Sequence, residues 1–128
     1  MVQVSEPYNP LTMALFEAPT HVGDLQHEYA KSAFAEAAES EAGAKLQLAA
    51  GIDKGTLQEI RFRVFACPHL IAAAEWLCKK YEGRPLADLA GFRAADCMVP
   101  LAIPVEKTGR ILLLEDAIRL LLEQLNND

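Results

Sequence analysis

Between residues 60 and 77 an alternating strand runs into a cysteine and then into a helix, and that junction constrains the fold more than any other stretch of the chain. Ile60, Phe62 and Val64 recur with period two while Arg61 and Arg63 fall between them, the pattern of a strand buried on one face. Cys67 follows, then Pro68, whose fixed φ suits a first helical position and whose missing N–H is no loss there. Leu70, Ile71, Ala74, Leu77, Cys78 and Tyr81 then mark an apolar stripe, so the spacing predicts a helix over residues 69–81 that Gly83 stops. A cysteine at such a corner lies near the positive end of a helix dipole, which favours its thiolate. A reactive sulfur and a small residue packed at a tight turn both satisfy this pattern.

The remaining elements follow from the same signals. Asn9 and Pro10 read as the cap and first position of a short helix, with Leu11, Ala14 and Leu15 on its inner side and Pro19 beyond its end. Residues 45–49 and 57–65 alternate as strands, and residues 51–55, rich in glycine, form a hairpin loop that makes them antiparallel neighbours. Residues 24–44 fit two patterns. Ala30, Ala33, Phe34, Ala37, Ala38 and Glu41 recur at helical spacing, but Gly43 and its small neighbours suggest a turn; local propensity favours helix. Pro85 opens a short segment through Leu89, and a helical turn precedes Pro100. A last helix, from Val105 or Lys107 to Leu125, buries Ile111, Leu114, Ile118, Leu121, Leu122 and Leu125. Leu113 and Leu120 fall outside that stripe, as partner-facing or half-covered edge residues.

With 128 residues, 52% of them apolar, the chain suffices for one core, and residues 1–128 are expected to form one domain. Its net charge of −6, spread along the sequence, argues against nucleic acid and anionic membrane surfaces as partners. No apolar run approaches the ~20 residues of a membrane helix, and no basic-then-apolar leader opens the chain, which suggests a cytoplasmic protein. The three cysteines form neither an even set nor a CxxC pair, so neither a disulfide framework nor a zinc knuckle is expected. On a straight helix Cys67 and Cys78 stand roughly 16 Å apart, too far to share one metal within a protomer. Cys78 reads as core, and Cys97 lies beside Asp96.

Taken in order, Tyr8-Asn9-Pro10 through Pro19-Thr20-His21-Val22-Gly23, then Lys45-Leu46-Gln47-Leu48, then residues 60–67, then Glu115-Asp116-Ala117-Ile118 resemble the iron-sulfur cluster scaffold family, IscU and the N-terminal domain of NifU. The ordered set covers almost the whole chain. It implies an α+β fold with a small antiparallel sheet of about three strands packed against helices. It also places a first strand near residues 29–38, against the local helical propensity. The family holds its cluster with three cysteines assisted by an aspartate and a histidine. Here the first ligand loop reads Glu41-Ala42-Gly43-Ala44, and Gly109-Arg110 stands where the family has His-Cys. Only Cys67 matches. One thiolate cannot supply the soft ligand set of a cluster within one protomer.

Three functional readings follow. In the first, the chain is a divergent assembly scaffold in which Cys67 accepts sulfur or holds metal, with His69 as the nearest second donor. A symmetric dimer would present two Cys67 and two His69, donors suited to zinc or a [2Fe-2S] iron-sulfur cluster. The resemblance implies a cysteine desulfurase or an assembly chaperone as partner. In the second, the chain is an adaptor or regulator that keeps docking surfaces for those partners but not the chemistry. Ile103, Pro104, Val105 and Lys107 resemble the family's chaperone-binding segment, with Glu106 in an apolar place; a turn at the start of a helix accounts for the same residues. The third, an enzyme with Cys67 as nucleophile, needs a positioned base, and neither His21 nor His27 has a context that supplies one. The expectation is therefore not an enzyme. Family geometry would also bring Arg110 beside Cys67, where a fixed cation favours the thiolate and repels a metal ion; an arginine that solvates a helix end fits equally.

Overall fold

The computed structural model describes residues 9–39, 41 and 43–126. Tyr8 and Ala42, both used in the sequence reading, lie outside them. Three antiparallel strands, β1 (Lys31–Glu39), β2 (Ala44–Asp53) and β3 (Thr56–Phe65), form a sheet in the order β1-β2-β3. The helices are α1 (Pro10–Glu17), α2 (Pro68–Tyr81), α3 (Leu86–Leu89), α4 (Ala94–Met98) and α5 (Thr108–Asn126), the last preceded by a 3-10 turn, Val105–Lys107. The fold is α+β, with a three-stranded antiparallel sheet packed against helices.

β1 overrides the helical propensity of its own residues. Ala33, Ala35 and Ala37 alternate inward while Phe34 and Glu36 face out, and pairing with β2 satisfies a backbone that an isolated helix of this length would hold poorly. Small inward residues leave room for α5, whose Leu114, Ala117, Ile118 and Leu121 are buried. The free edge of β1 is blocked locally by Gln124 of α5, which accepts from the Phe34 N–H and donates to its carbonyl. Leu113, placed outside the buried stripe by spacing, is only 4% exposed. The helix is covered by α4 and α2 as well as by the sheet, so its apolar arc is wider than one stripe. Leu120 and Leu122 are half-buried, and Leu112 is the exposed leucine.

The hairpin between β2 and β3 turns at Lys54 and Gly55, both at positive φ, the backbone of a tight two-residue loop. Nearby, Gly51 lies directly under the ring of Tyr29: a Cβ there would stand 2.1 Å from the ring. The Tyr29 hydroxyl donates to Glu59 at 2.6 Å, which lies across the ladder from Gly51. Gly51→Ala should therefore displace the ring, strip Glu59 of that donor and cost about 2–4 kcal/mol in urea unfolding, more than an overpacked methyl alone. A loss below about 0.5 kcal/mol would show that Tyr29 is not fixed there.

At the start of the chain Asn9 caps α1 by accepting from the Thr12 N–H at 2.8 Å, with Pro10 in the first turn, as the sequence predicts. The buried face differs from the predicted one. Thr12 and Leu15 turn inward, whereas Leu11 and Ala14 are exposed. The Thr12 hydroxyl donates to the Leu101 carbonyl at 2.7 Å, and that bond, with Asn9 Nδ2 to the Pro100 carbonyl, sets the rotation of the helix.

Candidate functional site

β3 ends at Phe65 and α2 begins at Pro68, so Cys67 occupies the cap position between them, with extended backbone angles of −80° and 163°. Pro68 starts the helix without needing a partner for its nitrogen, and the Cys67 carbonyl accepts from Leu70 and Ile71. The far end of α2 is stitched back to β3: Gly83 donates to Leu57 at 2.7 Å and Leu57 donates to Arg84 at 2.9 Å. Strand and helix are thus tied at both ends, and the corner carrying Cys67 is held between them.

The three thiols differ sharply. Burial pushes the Cys67 thiol up, but the backbone N–H of Leu70, the Arg110 guanidinium, the backbone N–H of His69 and the charge of Lys107 together bring it below the ordinary thiol value. Cys67 is also partly exposed. Cys78 is fully buried, and burial, then the charges of Glu75 and Glu82, push its thiol far up. Burial and the neighbouring Asp96 push Cys97 up to about 12, and its Sγ donates to the Ala94 carbonyl at 3.4 Å. Of the three, Cys67 alone combines partial exposure with surroundings that favour the thiolate.

His69 lies in the first turn of α2 and is 4% exposed. Burial and then Lys107 push its imidazole below the ordinary range, which leaves it neutral at neutral pH, the form that binds metal. A site shared between two protomers would need that ring uncovered. Among the described residues no group of three or more His, Cys, Asp or Glu side chains is placed to hold a metal ion. The carboxylate of Glu39, which the sequence reading passed over, sits over the start of α5: Oε2 is 3.5 Å from where a Cβ on Gly109 would stand. The surroundings of Cys67 thus hold two cations, Arg110 and Lys107, where a cluster needs further soft donors.

The proposed docking segment divides. Ile103 is buried at 7% and packs into the core, so it offers no side chain to a partner; Pro104 and Lys107 are half-buried, and Val105 is 81% exposed. Val105 borders an open groove with Met98, Val99 and Leu112, and Val99 is 80% exposed. No helix among the described residues is long and apolar enough to cross a membrane.

Comparison with known proteins follows the fold. The model of the NifU-like N-terminal domain family matches residues 7–126. Among curated relatives, the mitochondrial iron sulfur cluster assembly protein 1 of Kluyveromyces lactis is 28% identical over 75 residues, covering 59% of this chain and 42% of that protein. The protein of the same name from Eremothecium gossypii is 24% identical over 114 residues, 88% of this chain and 74% of the relative. The first match thus spans less than half of its relative's length. Among solved structures, the N-terminal part of a nitrogen-fixing NifU-like protein from Brucella abortus superposes with a TM-score of 0.72 at 16% identity, covering 94% of each chain. A putative iron-sulfur cluster assembly scaffold protein for the SUF system from Fervidobacterium islandicum superposes with a TM-score of 0.59 at 14% identity, covering 88% of this chain and 82% of its own.

Proposed function

Because the chain belongs to the NifU-like N-terminal domain family, an iron-sulfur cluster assembly scaffold family, we propose that it is a divergent member that accepts sulfur at Cys67 without acting as an enzyme. One observation carries this reading: of three thiols, only Cys67 is both reachable and surrounded by groups that favour its thiolate. The Cys67 thiolate attacks the terminal sulfur of a donor persulfide, the donor S–S bond breaks, and the donor leaves as its thiolate. Cys67 becomes the persulfide, and no external oxidant is consumed. Arg110 favours this chemistry and disfavours cation binding, since it brings positive charge to the sulfur where a metal would sit. The described residues around Cys67 do not supply the donor set of a whole iron-sulfur cluster. Three free cysteines suit a reducing compartment, and the cytoplasm is the proposed location.

The test is to incubate the chain with a cysteine desulfurase and free cysteine, then read persulfide by mass on each cysteine. Loading of Cys67 that disappears in Cys67→Ser supports sulfur acceptance. No loading of wild-type protein overturns it. Metal and acid-labile sulfide analysis of protein purified without oxygen accompanies this. About two irons per chain, lost in Cys67→Ser, would show that ligands beyond those described complete a cluster site. A second reading, an adaptor for the assembly machinery, is favoured by the exposed Val99 and Val105 beside the helix start. Binding of an assembly chaperone that is lost in Val105→Asp, with no sulfur on Cys67, would select it.

A further inference from the structure

Residues 20–29, between α1 and β1, cross β3 and α2 with little apolar burial of their own, and Val22 is 52% exposed. Carboxylates fasten the segment instead. Glu75, fully buried in α2, accepts from the backbone N–H groups of Thr20 and His21 at 3.0 Å each and from the Thr20 hydroxyl at 2.8 Å. His21 Nδ1 stands 2.8 Å from the same carboxylate, and Nε2 stands 3.0 Å from Glu82. The other oxygen of Glu82 takes the Ile60 N–H and the Arg61 guanidinium. His21 and Gly23 pair with Phe62 on the outer edge of β3. Further along, Glu59, 3% exposed, accepts from Gln26 N–H and the Tyr29 hydroxyl, and Arg61 bridges Glu59 to Glu82.

The two ring nitrogens of His21 point in opposite directions, Nδ1 to Glu75 of α2 and Nε2 to Glu82 just beyond its end, so the ring bridges the two carboxylates. An amide side chain has all its hydrogens on a single nitrogen and cannot span both carboxylates. The charged groups against the ring are Glu75 from α2 and Glu82 just past it; from β3, Arg61 pairs with Glu82 and with Glu59, and burial and the charges of Glu75 and Glu82 push the Cys78 thiol up.

We propose that residues 20–29 are a latch that clamps β3 to α2 through His21, and that the closed latch holds the strand-to-helix corner in the geometry that activates Cys67. The latch rests on polar bonds over little apolar area, so it opens at a cost far below that of unfolding the sheet. Opening frees the middle of β3 from α2 and leaves Cys67 less firmly aligned with the N–H groups of the helix start and with Arg110. His21 is then a positioning residue. Its link to Cys67 rests on the reading of that thiol as the reactive one; the latch itself does not.

Hydrogen exchange of the full chain, read by peptide mass, tests it in His21→Gly and in Glu82→Gln, the latter at a residue exposed enough to tolerate substitution. Both variants should speed exchange in residues 20–29 and at the edge of β3 on the order of tenfold, leaving β1 and β2 unchanged. Added imidazole should restore slow exchange in His21→Gly, because it returns a ring whose two opposed nitrogens can bridge the two carboxylates. Cys67 alkylation at neutral pH should slow about threefold in the same variants and recover with imidazole. Unchanged exchange in residues 20–29, or acceleration spread evenly over the sheet, overturns the latch. Local acceleration with unchanged Cys67 labelling overturns its coupling to the corner. Persulfide loading is not read in this experiment, so failure of sulfur acceptance leaves a separate signature.

Discussion

Alkylation of the folded protein at neutral pH should label Cys67 first, with Cys97 slower by about three orders of magnitude or more and Cys78 unlabelled until the protein unfolds. The magnitude follows from thiolate fraction. Cys97 is pushed to about 12 against an ordinary thiol at 9.0, a difference of three, so it holds roughly a thousandth of an ordinary thiol's thiolate. Cys67 is displaced the other way, so its labelling should rise with pH through a midpoint below 9.0. Arg110→Ala removes a group that favours the thiolate, and the midpoint should move upward. Lower intrinsic nucleophilicity of an acidic thiol offsets part of the gain but not three orders of magnitude. Equal labelling of all three cysteines would leave Cys67 a packing residue and remove the chemical basis of sulfur acceptance.

What was legible in the sequence is what local physics decides. The Cys67-Pro68 corner, the alternation of β3 and the stripe of α2 are written in spacing alone, because each element buries one face of its own periodicity. β1 was not. Its alanines and glutamates favour helix, and only nine residues of ladder with β2, visible to the sequence through family resemblance rather than propensity, make it a strand. The inner face of α1 was read right at Leu15 but not at Leu11 and Ala14, because a distant carbonyl, Leu101, rotates the helix; that of α5 was read right at Ile111, Leu114, Ile118, Leu121 and Leu125 but too narrowly to take in Leu113, because several neighbouring elements cover the helix. At the site, Arg110 was placed beside Cys67 by resemblance, and its guanidinium is one of the groups that lower the Cys67 thiol. Lys107 was read as a docking residue and also acts on the sulfur. His21 carried no motif. Its partners Glu75 and Glu82 are more than fifty residues away, and a buried glutamate within a helical stripe gives no sign of what it faces.

Phe62 and Phe65 allow the alternation of β3 to be tested on one strand with one residue type. Three positions apart, they point to opposite faces of the sheet. Phe62 is 2% exposed in the core and Phe65 is 56% exposed. Phe62→Ala removes a ring from a packed interior and leaves a cavity beneath the strand that carries the latch pairing, so it should cost about 3–5 kcal/mol. For a domain of this size that lowers Tm on the order of 10–20 °C, a large share of the whole stability. Phe65→Ala should change stability by less than about 1 kcal/mol, since most of the ring already meets water. Urea unfolding of both variants decides the point. Comparable losses would mean that the outer face of β3 is covered in solution, by another copy or another part of the chain. A small loss for Phe62→Ala would mean that β3 does not present this register to the core, and with it the corner at Cys67 would lose its foundation.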